Sequence, residues 1–159
     1  MTKNQLSELI EESIQLELNM AELYKLFSGT YPEGNDFWRQ LYLEEKSHAA
    51  LIRTGHDSFM KHGDFPRDMI SSSIEGLKTS NAKTEKLLAD CKATPPDHHE
   101  ACRLAIERES DVGEAHYAVF MNKDAANSLE AVFQQLNRAD IDHEKRIQAH
   151  GLSLETTSD

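Results

Sequence analysis

Apolar side chains recur at intervals of three and four residues along most of the chain, which is the period of an amphipathic helix. The first predicted helix begins near Thr2 with a capping box and stops before Gly29. The second begins at about Asp36 and fades between Gly55 and Gly63. Because only a tight turn separates them, we expect the two helices to form an antiparallel hairpin.

The pattern is weaker over residues 63–94, where it predicts a partly helical crossover. A third helix is predicted to follow and to run to about Met121. Its start is indicated by Thr94 as a cap, by two prolines suited to a first turn, and by Asp97, whose charge complements the helix dipole.

A fourth helix is predicted from Asn127, which opens a second capping box, to Gly151. We expect residues 152–159 to form a frayed tail. Residues 1–151 are therefore predicted to form one all-α domain, a four-helix bundle of two antiparallel hairpins joined by a long crossover.

The charge balance narrows the possible partners. The chain has 28 Asp and Glu residues against 17 Lys and Arg residues, a formal net charge of −11. Nucleic acids and anionic membranes attract basic surfaces, so we expect neither partner. No apolar run approaches the roughly 20 residues of a membrane span, and the first residues lack the apolar segment of a signal peptide. We therefore expect a cytoplasmic protein.

Several charged residues fall on the apolar stripes of the predicted helices. Glu17 is one, and an unpaired carboxylate buried there would cost several kcal/mol. The second helix carries Glu45 and His48, and the fourth carries Asp140 and His143. In both pairs the acid precedes the histidine by three residues, so both side chains can reach one ion.

The two halves of the chain align with each other in both apolar and polar positions. The second helix superposes on the fourth by pairing Trp38 with Phe133, Leu41 with Leu136, Glu45 with Asp140, His48 with His143 and Ile52 with Ile147. The first helix superposes on the third by pairing Glu17 with Glu109. A rival superposition places Ser110 opposite Glu17. Superposition alone therefore does not decide whether Glu109 is the ligand from the third helix.

Depth along the helices favours Glu109. The helical rise places Glu17 and Glu45 about 15 and 13.5 Å from their shared turn, which is nearly one level. Glu109 and Asp140 are likewise equally far from the second turn, whereas Glu107 would miss that level by about 3 Å. The predicted site therefore contains four carboxylates and two imidazoles, which suit a pair of Fe or Mn ions rather than structural zinc.

The residues Glu17, Glu45-x-x-His48, Glu109 and Asp140-x-x-His143 resemble the ligand pattern of the ferritin-like di-iron carboxylate superfamily, and most closely its rubrerythrin-related branch. The resemblance covers about Leu6 to His150. It implies a ferritin-like bundle that forms a homo-oligomer, for which we expect a dimer, and a site that handles ferrous iron, O2 or hydrogen peroxide.

The chain departs from this pattern in four places. It lacks the two Cys pairs of a rubredoxin domain, so an enzyme of this type would need an external electron donor. Val112 and Gly113 stand where rubrerythrins have a further carboxylate, and Asp140 replaces the usual Glu. Lys46 follows Glu45 where bacterioferritins have a haem-ligating Met, so no haem is predicted.

We therefore expect a non-haem protein with two Fe ions, or Mn in their place, that oxidises Fe(II) with hydrogen peroxide or O2 as a peroxidase or ferroxidase. The alternatives are an iron-binding or storage protein without turnover and a metal-free structural bundle. The predicted metal ligands are Glu17, Glu45, His48, Glu109, Asp140 and His143, and the four acids among them are also the predicted catalytic residues.

The remaining polar residues are expected to be unrelated to this site. Glu44 is predicted to be solvated, residues 97–100 to form a solvated first turn, and His150 to lie on the surface. Tyr24 has two interpretations, as a hydrogen-bond partner of a ligand carboxylate or as an aromatic core residue.

Overall fold

The computed structural model describes residues 2–62, 73–111, 124 and 128–156, apart from the side chains of residues 59, 62, 128–130, 132, 133, 136, 137 and 139–141. Within these ranges the chain is helical and contains no strand, which confirms the predicted all-α class. The helices are α1 (Lys3–Thr30), α2 (Asn35–His62), α3 (Ile74–Ala93), α4 (His98–Ser110) and α5 (Ser128–Thr156), and a 3-10 turn spans Pro32–Gly34. None of the described helices has the length and apolar character needed to cross a membrane.

The first two helices pack against each other along the most extensive helix contact among the described residues. The predicted capping box is present at the start of α1, where Thr2 Oγ1 accepts a hydrogen bond from the Gln5 backbone N–H at 3.2 Å. The Thr2 backbone N–H donates in return to Gln5 Oε1 at 2.8 Å. The helix ends at Thr30, two residues beyond the predicted stop.

The predicted crossover is helical over Ile74–Ala93, and residues 63–72 lie outside the described part of the chain. This α3 packs on α1. The prediction that Thr94 caps the next helix is wrong, because Thr94 is extended and ends α3. A following proline disfavours the helical conformation of the residue before it, so α4 begins only after both prolines, with Asp97 as its cap.

The second pair of packed helices is α4 and α5. The third helix is described as far as Ser110, and the remainder of its predicted length, like the predicted cap at Asn127, lies outside the described residues. The prediction that the fourth helix ends at Gly151 is wrong, because α5 continues to Thr156. Its last turns are held by packing, since Gly151 lies against Cys102 and Leu154 packs on the core.

Two apolar clusters form the described core. The first joins the start of α1 to the end of α2 and to α3, and consists of Leu6, Leu9, Ile10, Ile14, Ala49, Ile52 and Leu77. The second lies toward the turn between α1 and α2, and consists of Met20, Leu23, Tyr24, Phe27, Trp38, Leu41, Cys91, Ala101, Cys102, Ala105 and Ile147. Along both α1 and α2, the charged residues singled out by the sequence fall between these clusters.

Candidate metal centre

Five of the six predicted ligands come together in the middle of the bundle. Glu17 comes from α1, Glu45 and His48 from α2, Glu109 from α4 and His143 from α5. Three of these residues are nearly inaccessible, with exposed fractions of 2% for Glu45, 4% for His48 and 0% for His143. The apolar clusters on either side therefore leave one polar layer inside the core.

The five side chains form two groups that share Glu45. In the first group, His48 Nδ1 lies 3.4 Å from Glu17 Oε2 and 3.3 Å from Glu45 Oε2. In the second, His143 Nδ1 lies 2.8 Å from Glu45 Oε1 and 3.8 Å from Glu109 Oε1. The two oxygens of Glu45 thus face different histidines, whose rings stack with centroids 5.4 Å apart. This is the arrangement expected of a carboxylate that bridges two ions.

The spacing of these atoms fits ligands around an ion. Bonds of about 2.0–2.2 Å place two ligand atoms of one ion about 2.8 to 4.4 Å apart, and the four distances above fall in that range. His143 Nδ1 is also fully buried without a hydrogen bond of good geometry, although Glu45 lies beside it. A buried polar atom without such a bond is rare, and a cation between these atoms would satisfy it.

The acids of the cluster perturb one another. The pKa of Glu17 is raised to about 7, first by burial and then by the nearby charge of Glu45. Burial alone would lower the pKa of His143, but the neighbouring carboxylates of Glu109 and Glu45 outweigh burial and raise the pKa to about 11. The layer therefore carries an excess of negative charge, which a divalent cation would neutralise.

The prediction that Glu44 is solvated is wrong. Its carboxylate lies 2.6 Å from His143 Nε2 and accepts a hydrogen bond of 2.7 Å from Arg146. Partial burial is the largest single effect on the pKa of Glu44 and raises it, but hydrogen bonding and charge from Arg146 and His143 together outweigh burial and lower that pKa. Glu44 thus holds the His143 ring by one nitrogen and turns the other toward Glu45 and Glu109, a common arrangement for metal-bound histidines.

Tyr24 combines both of the roles considered for it. Its hydroxyl donates a hydrogen bond to Glu109 Oε1, while its ring is fully buried in the second apolar cluster. Ser110, the rival of Glu109 in the third helix, is exposed and bonds to the Ile106 carbonyl. Asp140 lies on α5 one turn before His143, but its side chain is outside the described part of the structure.

A second pair of histidines lies near the turn between α1 and α2. The predictions of a solvated His98 and a surface His150 are wrong, since both are partly buried with their Nε2 atoms 3.2 Å apart. Trp38 Nε1–H donates to His98 Nε2 at 2.9 Å. Tyr31 stacks on His98 and Phe37 stacks on His150. Local sequence pattern carries no signal for this cluster, because its contacts join three separate segments.

Comparison of the chain with protein-family models, with curated proteins and with solved structures finds no match. The chemistry and spacing of this chain's own side chains are therefore what indicates a metal centre.

Proposed function

We propose that this chain is a non-haem di-iron protein of the ferritin-like type, related to rubrerythrins, that oxidises Fe(II) with hydrogen peroxide or O2. The observation that carries the proposal is the position of Glu45, whose two oxygens face two different histidine and carboxylate groups inside the core. Burying these charges without a counter-ion would be costly, and a pair of divalent ions removes that cost.

Each side chain has a role in this proposal. Glu45 would contribute an oxygen to each of two ions, Glu17 and His48 would help to hold one of them, and Glu109 and His143 would help to hold the other. Asp140 is retained as a proposed sixth ligand because it lies on α5 one turn before His143. Oxygen and nitrogen ligands of this kind suit Fe, with Mn as the closest substitute.

The surrounding residues prepare the site for binding. Glu44 orients His143, and Tyr24 donates a hydrogen bond to Glu109 Oε1 and so fixes the position of that carboxylate. Glu17 must lose its proton before it can bind a cation, so metal binding releases a proton at and below about pH 7. The apolar clusters on both sides limit access of bulk water.

Bound iron would supply one-electron redox chemistry between its ferrous and ferric states. The protein would contribute the fixed ligand geometry, the counter-charge and a dry environment, while electrons for repeated turnover come from an external donor.

Metal analysis tests the binding part of the proposal. The purified chain, loaded anaerobically with Fe(II) and desalted, should retain about two equivalents of iron, and less than about half an equivalent would overturn the di-iron reading. The same measurement with Mn(II) in competition would establish which metal the site prefers.

Stopped-flow mixing of the loaded protein with hydrogen peroxide or O2 tests the reaction. Oxidation of the bound Fe(II), followed by further turnovers when ascorbate is added, is expected of a peroxidase. Oxidation in a single turnover with accumulation of ferric mineral would instead support a storage protein.

A further inference from the structure

A continuous line of aromatic side chains joins the metal centre to the end of the bundle. Tyr24 bonds to Glu109, and its ring stacks on Trp38 with centroids 5.6 Å apart and an angle of 27° between the planes. The Trp38 indole N–H donates to His98 Nε2 at 2.9 Å. His98 stacks in turn on Tyr31, with centroids 4.3 Å apart and nearly parallel planes.

The two ends of this line differ in exposure. Tyr24 and Trp38 are 0% exposed, whereas His98 and Tyr31 are partly open to solvent. Tyrosine and tryptophan are the side chains that most readily lose one electron, and the buried part of the line contains one of each. An electron that enters at the partly exposed end can therefore pass through rings in contact to Tyr24, which is bonded to Glu109.

Each oxidisable ring also has a proton acceptor. The Tyr24 hydroxyl bonds to a carboxylate, and the Trp38 N–H bonds to an imidazole that must accept, because an indole nitrogen can only donate. Loss of an electron makes phenol and indole far stronger acids, so an acceptor in place lowers the cost of oxidation. Both acceptors are titratable groups, a carboxylate and an imidazole, so each can take the proton that the oxidised ring releases.

We propose that Tyr24 and Trp38 form a one-electron relay that carries electrons from an external reductant to the di-iron centre. This proposal rests on the proposed function, because hydrogen peroxide acting at that centre supplies the oxidising equivalents. The reductant is a one-electron donor, such as a reduced flavin or iron–sulfur protein or ascorbate, that meets the partly exposed surface formed by Tyr31 and His98.

The electron and proton steps balance. Tyr24 gives one electron to the oxidised centre and its phenolic proton to Glu109. Trp38 then gives an electron to the Tyr24 radical, which takes back the proton, and the Trp38 indole proton passes to His98. One electron from the reductant restores Trp38, to which His98 returns the proton. Two such passes deliver the two electrons that, with two protons from solvent, convert hydrogen peroxide to two waters.

The first test needs no iron. In flash photolysis of the metal-free full-length chain with a ruthenium polypyridyl photo-oxidant, a tryptophanyl radical can come only from Trp38, the single Trp of the sequence. We expect that radical to decay as a tyrosyl radical appears on Tyr24, which is the electron exchange between the two rings run in the reverse direction. Tyr24→Phe should prolong it, whereas Tyr42→Phe, a matched change on α2, should not. Equal decay in both variants, or no tryptophanyl signal at all, would overturn the relay.

The second test uses the iron-loaded chain, oxidised by hydrogen peroxide and then reduced by ascorbate. Trp38→Phe should slow the reduction about tenfold or more, a barrier increase of about 1.4 kcal/mol, while Phe37→Leu, which alters another ring packed on Trp38, should change it less than about twofold. Trp38→Tyr should restore part of the rate, because the new ring is again oxidisable.

The outcomes separate this proposal from the function on which it rests. A chain that binds no iron but transfers the radical from Trp38 to Tyr24 would contradict the di-iron function alone. A chain that binds iron and is reduced as fast with Trp38→Phe as without it would contradict the relay alone. Iron content and the first oxidation of bound Fe(II) should be the same in Trp38→Phe and wild type.

Discussion

Two pairs of histidines lie in the described helices, and their surroundings have opposite character. His48 and His143 stack in the middle of the bundle among carboxylates. His98 and His150 meet near the turn among aromatic rings. The same side chain therefore occurs in two buried settings within one small protein.

The setting decides the charge that each ring carries. Carboxylates overcome the effect of burial at His143 and raise its pKa to about 11. At the other pair, burial lowers the pKa of both His98 and His150, and the neighbouring His150 lowers that of His98 further. An acidic surrounding thus attracts cations, whether protons or metal, whereas an aromatic one favours neutral rings that accept hydrogen bonds.

Removal of Glu45, the acid that both metal-binding groups share, should have the largest effect on metal content and stability. Glu45→Gln keeps the volume but removes the charge that both groups use, so the chain should lose both irons. When free metal is about 100 times Kd, each bound ion adds about 2.7 kcal/mol to the free energy of unfolding, and the variant should lose the increment of both ions. Metal analysis and urea unfolding with and without Fe(II) measure both effects.

Glu107→Gln provides the control, since Glu107 is exposed on α4 and pairs with Arg103. It should bind iron as wild type does. If Glu45→Gln retained both irons, the bridging role of Glu45 would be refuted.

Substitution of Glu44, the hydrogen-bond partner of His143 Nε2, should have the next largest effect on metal affinity. Glu44→Ala removes the acceptor that orients the ring, and loss of such a partner typically weakens metal binding about 10- to 100-fold. Glu44→Gln should recover part of the affinity, because the amide oxygen can still accept. Asp142→Asn is the control, as it alters a contact of Arg146 but none of His143. Equal affinities in all three variants would contradict a positioning role for Glu44.

The aromatic cluster consists of His98, His150, Tyr31, Phe37 and Trp38. Its packing should be sensitive to added side-chain volume at Gly34. An added Cβ would lie 2.6 Å from His98 Cε1 and 3.1 Å from His150 Nε2. We expect Gly34→Ala to lower the free energy of unfolding by about 1–3 kcal/mol, the usual cost of overpacking, and to leave iron content unchanged.

Gly29→Ala is the matched change, because a Cβ there would meet nothing within 4 Å. It should stabilise α1 by about 0.5–1 kcal/mol through helix propensity. A Gly34→Ala protein as stable as Gly29→Ala would show that the histidine pair can move aside freely.

Low pH should reduce the contribution of the aromatic cluster to the free energy of unfolding, by less than the preceding substitutions do. The pKa values of His98 and His150 lie below their ordinary value of 6.5, so the folded chain binds fewer protons there than the unfolded chain. This contribution to the free energy of unfolding is complete above pH 6.5 and is lost as the pH falls below it. Urea unfolding of the metal-free protein at several pH values measures the change.

His150→Gln isolates this contribution, because it removes one of the two titrating rings. The loss of stability with acid should therefore be smaller in His150→Gln than in wild type. Glu17 acts in the opposite direction in both proteins, since its raised pKa makes metal-free folding less favourable as the pH rises from 4.5 to 7. Equal losses would contradict a lowered pKa for His150 in the folded state.

Sequence pattern was sufficient to predict the all-α class and three acids that meet in the core, Glu17, Glu45 and Glu109. Helical periodicity and a local cap, such as Thr2 with Gln5, depend on residues a few positions apart, so the sequence contains that information. Glu17 and Glu45 could be selected because a charge on an apolar stripe is costly wherever that stripe packs, and Glu109 because it lies at the matching depth along its helix.

Tertiary contacts decided what local pattern could not. Glu44 reaches His143 from another helix, and the aromatic cluster joins the turn after α1 to the first turn of α4 and the end of α5. Gly151, a helix stop by local rules, continues α5 because the helix beyond it packs on the core. Propensities act over one or two turns, whereas these contacts exist only once the helices have packed. The sequence alone thus determined which side chains needed compensation, and the packing of the helices determined which neighbours provide it.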